Sequence, residues 1–251
     1  MKSLYAALLG TTLLAVSAAP AHADTETFGQ FLQKSPSDRV FSYTNLDVGS
    51  AKKAEIKGTN IPVYFNFGVD GLPADLVDLQ DAHLSVDFIS NLGTTGSGSS
   101  RVQLFDTVSS GSITFTRDTA AAEGNGTRTN LLTVSFTKAE LDASQNAGAF
   151  TFKSNADTVI TFTSDFLDFT GVTSKDFSFS FSGASPHFNA PIGSSSVSTS
   201  FSGSGTFASD PAPLVIPGIP EPGSWAMMLG GFGLLGLTLR TRKTSQTVTF
   251  A

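Results

Sequence analysis

The chain has 251 residues and no cysteine, with 15 Lys plus Arg against 21 Asp plus Glu, 24 Gly, 22 Phe and 14% charged residues. The lack of any thiol excludes disulfide scaffolds, cysteine-ligated zinc, iron–sulfur clusters and cysteine nucleophiles. Residues 24–219 carry 11 basic and 20 acidic groups, a net charge of −9, which opposes contact with polyphosphate and argues against a nucleic-acid partner.

At the front, Lys2 gives a short positive start, and residues 4–19 are apolar or small almost throughout. The run closes on Ala21-His22-Ala23 before Asp24, and small side chains at the first and third of these positions suit a signal peptidase. Residues 1–23 are therefore predicted to be a signal peptide cut after Ala23, with export through the Sec machinery. An uncleaved membrane helix would need a longer apolar stretch and stop-transfer charges.

Residues 24–210 form the predicted body. Phe28 to Lys34 carries apolar residues at helical spacing, and Thr137-Lys138-Ala139-Glu140 has the pattern of a capping box, so a short connecting helix is expected at each. Elsewhere apolar residues alternate with Ser, Thr or Asn, which places one residue type on each face of a strand. The pattern recurs at residues 63–67, 84–88, 113–115, 132–136, 150–152, 160–162, 177–181 and 197–201. Segments with one apolar face each predict an all-β fold, an antiparallel, jelly-roll-like β-sandwich, with a closed barrel as the structural rival. Abundant Phe beside three Tyr and one Trp predicts rings packed inside, since exposed ligand platforms favour aromatics that carry a polar atom. Loops are expected at 93–100, 124–126 and 193–196; Asn125-Gly126-Thr127 reads as a tight turn before it reads as a glycosylation sequon.

Catalytic patterns are sparse. His83 and His187 are the histidines left after signal cleavage, and no H-E-x-x-H, G-x-S-x-G, P-loop or dinucleotide fingerprint is present. Two acidic groups, Asp75/Asp78/Asp81 and Asp165/Asp168, could in principle form a glycosidase dyad or a calcium site. Their spacing matches no calcium loop, and solvated acids for the first group and a strand-edge or turn role for the second are favoured. No catalytic residue, metal or cofactor is assigned.

Residues 211–222 read PAPLVIPGIPEP, in which five prolines remove backbone donors and fix φ, predicting a stiff linker in which helix and central strand are disfavoured. Residues 223–239 follow without one formal charge, a length of about 25 Å as a helix, which just reaches the lower limit for a membrane span. Trp225 stands where an interfacial anchor would, and Arg240, Arg242 and Lys243 form a basic stop that should stay cytoplasmic, leaving the body outside and residues 244–251 as a cytoplasmic tail. Gly230, Gly231, Gly233 and Gly236 thin this transmembrane helix without forming a G-x-x-x-G pair, which favours docking into a larger membrane partner over self-pairing.

Pro220-Glu221-Pro222, Trp225-Ala226-Met227-Met228-Leu229, the glycine-rich run and the basic stop occur in an order that resembles the PEP-CTERM sorting signal of Gram-negative bacteria, in its PEPxxWA form. The resemblance covers about the last 30 residues. It implies recognition by an exosortase, an integral-membrane enzyme that processes the tail near the tripeptide, in hosts that make extracellular polysaccharide. Pro220, Glu221, Pro222 and Trp225 would be the sorting element, and Arg240, Arg242 and Lys243 the stop.

A non-enzymatic component of the cell surface or exopolysaccharide matrix is the leading expectation. A carbohydrate- or ice-binding module is the alternative, with Thr114-x-Thr116 and Thr161-x-Thr163 as candidate hydroxyl pairs that do not recur at a fixed period. A secreted hydrolase is the third.

Overall fold

The computed structural model describes residues 25–48, 51–106, 111–118, 128–155, 157–189, 197–216 and 227–235. The strands are β1 (Glu26–Gln33), β2 (Phe41–Val48), β3 (Ala51–Phe67), β4 (Gln80–Ser90), β5 (Ser100–Phe105), β6 (Gly111–Arg117) and β7 (Asn130–Phe136). They continue with β8 (Ala139–Ser144), β9 (Phe150–Lys153), β10 (Ile160–Thr163), β11 (Leu167–Asp168), β12 (Ser174–Ser185), β13 (Val197–Asp210) and β14 (Leu214–Val215). Each of the segments expected to be extended lies in a strand. The expected turns at 124–126 and 193–196 fall outside the described residues.

Both expected helices are strands. In β1 the partner register slips between Thr27 and Gly29, so that Phe28 and Gly29 are both buried before Phe31 and Gln33 resume the two-residue alternation. One bulge thus converts a strand period into apparent helical spacing. Thr137, the presumed cap, instead exchanges bonds with Val159: its N–H donates to the Val159 carbonyl and its Oγ1 accepts the Val159 N–H. Ala139 and Leu141 then turn inward on alternate residues of β8.

The body is all-β and antiparallel, as expected, but its two layers belong to one continuous sheet. Twelve strands run in the order β10-β7-β6-β4-β3-β1-β13-β12-β9-β8-β5, with β2 bridging β13 and β3. The sheet folds over so that β4, β6, β7 and β10 face β13, β12 and β9. Rings from opposing halves meet: Phe88 stacks on Phe152 at 4.8 Å, Phe136 lies 5.0 Å from Phe177, and Phe115 meets Phe207 edge-on at 5.5 Å. Every phenylalanine among residues 25–216 is buried. Offset and edge-on ring pairs each contribute about 0.5–1.5 kcal/mol beyond the burial of their area. Glycines on the inner face leave the room: a Cβ on Gly205 would stand 2.6 Å from the Phe31 ring, and one on Gly111 would stand 2.8 Å from that of Phe88.

Strands β1 and β2 fill one slot in succession. β1 lies between the later halves of β3 and β13, and β2 lies between their earlier halves. The chain bulges out between them. Buried Gln33 closes the break: its Nε2 donates to the carbonyls of Ser35 and Asp38, and its Oε1 accepts from Gly203 N–H at 3.2 Å. A buried amide with both ends bonded avoids the cost of unpaired polar groups where the ladder is interrupted.

Candidate functional site

The chain leaves the body at a defined place. β14 pairs with β11, setting Leu214 opposite Asp168 and Val215 opposite Leu167. Ile216 N–H then donates to the Phe166 carbonyl at 2.8 Å. A short strand therefore forms within the proline-rich stretch. It is a two-residue edge pairing, the kind of position that flanking prolines tolerate.

The surroundings of Phe166 hold this exit in place. Asp165 Oδ2 accepts from both Thr129 N–H and Asn130 N–H at 2.9 Å, while the Asp165 carbonyl accepts from Arg128 Nε at 2.9 Å and from its Nη2. The Arg128 guanidinium stands 4.9 Å from the centre of the buried Phe166 ring, and that of Arg117 stands 5.8 Å away. Arg117, itself buried, ion-pairs with Asp75 at 3.0 Å. Asp168 accepts from Thr170 Oγ1 and from Thr170 N–H at 2.9 Å, and these bonds hold its carboxyl below the usual range. Arg128 and Phe166 carry no sequence pattern that marks them, since Arg128 meets Asp165 across 37 residues of chain.

Neither acidic group assembles into a dyad. Asp75 is taken by Arg117, Asp81 by Lys34 at 2.7 Å, and the Asp78 carbonyl accepts from Gln80. Asp165 and Asp168 are engaged separately, Asp165 with the distant Thr129 and Asn130 N–H groups and Asp168 within its own turn. His83 Nδ1 lies 2.5 Å from Asp118 Oδ1, and His187 is exposed. Among the described residues no cluster of His, Asp or Glu is placed to hold a metal ion.

A buried polar chain crosses one end of the body. Asn45 Nδ2 donates to Thr94 Oγ1, which donates to Gln103 Oε1, both at 2.8 Å. Gln103 Nε2 donates onward to Ser90 Oγ and to the carbonyls of Leu92 and Leu104. The Tyr43 hydroxyl lies beside this chain without a bond of normal geometry. Burial pushes its pKa up to about 12, against a smaller downward pull from Thr94 and Asn45. With every other member bonded to protein, the chain fastens β2 to β5 and offers no reactive group.

The sorting residues Pro220, Glu221, Pro222 and Trp225, the basic stop Arg240, Arg242 and Lys243, and the cleavage residues Ala21, Ala23 and Asp24 lie outside the described residues. Within the tail, 227–235 is helical. Its apolar side chains are exposed, Met227 at 83% and Leu229 at 70%. No helix among the described residues is long and apolar enough to cross a membrane.

Comparison with protein families places the PEP-CTERM protein-sorting motif at residues 218–243. The match contains all seven predicted sorting and stop residues and begins just past Ile216. No curated protein and no solved structure matches the chain.

Proposed function

From a chain that carries a C-terminal PEP-CTERM sorting signal, and with it the mark of exosortase-dependent export to the cell surface, we propose a non-enzymatic component of the cell surface or exopolysaccharide matrix. Signal peptidase and the Sec machinery release the body beyond the cytoplasmic membrane. Residues 223–239 hold the precursor there, with Arg240, Arg242 and Lys243 inside, until the exosortase processes the tail near Pro220-Glu221-Pro222. The observation that carries this proposal is the motif match at 218–243, starting two residues after Ile216, whose N–H is bonded to the body. Six residues separate Ile216 from Gly223, a reach of roughly 20 Å at full extension. A body pinned at Ile216 therefore stays close to the membrane face where an integral-membrane enzyme works. The engagement of the Asp75, Asp81, Asp165 and Asp168 carboxylates in structural bonds supports a non-enzymatic role.

Deleting residues 220–251, or changing Trp225 to Ala, is expected to abolish display at the cell surface without changing the thermal unfolding of the body. Surface labelling and fractionation read the first effect and a melting curve the second. Undiminished surface display of both variants would overturn the proposal.

A further inference from the structure

Outward-facing side chains of β12, β13, β1 and β3 line up in two rows. Register sets Ser178, Thr206, Gln30 and Asn66 side by side across the four strands, and two residues along it sets Ser180, Ser204, Leu32 and Tyr64. At the usual strand spacing each row is about 14 Å long, and the rows lie about 7 Å apart. They floor a groove of about 390 Å³ walled by Leu79. Among the described residues, no side-chain hydrogen bond engages Ser178, Thr206, Gln30, Asn66, Ser180 or Ser204. Three large apolar side chains stay exposed at the same place, Leu32 at 55%, Leu79 at 62% and Tyr64 at 37%.

The chemistry of the groove selects its occupant. No lining residue is charged, although the body is acidic, and the nearby Lys34 is spent on Asp81 at 2.7 Å and on the Tyr64 ring at 5.2 Å. A charged ligand would be desolvated there without a counter-charge. A peptide strand would need free backbone groups, but these strands are interior to the sheet and their ladders are already paired. A hydrocarbon would leave hydroxyls and amides without water or partner. What fits is an elongated neutral molecule with many hydroxyls along its edges and C–H faces able to lie on Tyr64, Leu32 and Leu79. We propose that this groove is a binding site for a neutral glycan, held by the hydroxyl and amide row along one side and by the apolar trio along the other. The site lies on the body and does not depend on how the tail is processed.

The test uses the full-length chain in a sugar-free detergent, titrated calorimetrically with cellohexaose, maltohexaose and mannohexaose, and with a galacturonic acid hexamer as the charged comparator. At least one neutral hexamer is expected to bind at millimolar or lower concentration and at least tenfold more tightly than the acidic one. Tyr64→Ala and Ser204→Glu should each weaken that binding at least tenfold, while Thr133→Ala, on the outer face of β7, should leave it unchanged. Leu79→Lys, at an exposed position outside the sheet, gives the same reading if either strand variant does not fold. Absence of binding by all three neutral hexamers, equal or tighter binding of the acidic one, or parental affinity in the groove variants that fold would overturn the proposal.

Discussion

Body and tail both have abundant apolar side chains and place them in opposite environments. In the body, alternation sends each ring to one face of a sheet that closes upon itself, so Phe88, Phe136, Phe152 and Phe177 pack together and are buried. In the helix over 227–235, Met227, Leu229, Phe232 and Leu234 are between 66% and 83% exposed. Hydrophobic side chains of the first kind supply stability; those of the second supply affinity for an apolar medium or partner. Opposite outcomes of substitution in the two regions follow.

The largest contrast pairs Phe152→Ala with Leu234→Ala. Phe152 is fully buried and meets rings from four strands, so its truncation should cost about 3–5 kcal/mol of unfolding free energy. Leu234→Ala should stay within about 0.5 kcal/mol. Denaturant unfolding of both variants measures the difference, and comparable losses would break the distinction between the regions. Next comes Gly111→Val, whose new side chain must enter the space of Phe88 and Phe136. Overpacking there should destabilise by about 1–3 kcal/mol, read as a lower denaturation midpoint.

Asp165→Ala tests the exit. It leaves the N–H groups of Thr129 and Asn130 without their acceptor, a loss of about 1–3 kcal/mol, and should speed hydrogen exchange at Ile216 by freeing β14. The smallest effect belongs to Glu140. Burial raises its pKa above the ordinary carboxylate range, as do the hydrogen bond and negative charge of Asp142, against Lys153. A carboxyl with a raised folded pKa contributes stability below its unfolded value and loses it as pH rises through the folded one. Glu140→Gln should therefore melt about 1–2 °C above the parent at neutral pH. That gap should close below about pH 4, where the parent carboxyl is protonated as well.

Much of the body was legible because its signal is local. The eight alternating segments all became strands, since a two-residue period with one apolar face has few other ways to bury its rings. The signal failed at Phe28 to Lys34, where a bulge changes the period, and at Thr137, whose hydroxyl found a cross-strand partner before it could cap a helix. Asp165 and Asp168 illustrate a different limit. Their spacing suggested a pair, but each binds backbone groups, Asp165 those of a strand 35 residues away and Asp168 those of its own turn. The groove had no sequence signal at all, because its rows gather single residues from four strands brought together by register.

By itself the sequence determined what short-range pattern can carry: an antiparallel β body filled with phenylalanine and a sorting motif at 218–243. Both depend on the order of neighbouring side chains, and neither needs to know what lies across the fold. Tertiary structure alone decided that the layers form one sheet, that residues 214–216 are pinned along Phe166 to Asp168, and that uncharged hydroxyls and amides line up beside Tyr64. Those outcomes depend on which strand pairs with which and in what register, and closing loops of many lengths leaves that choice to the packing of the whole chain.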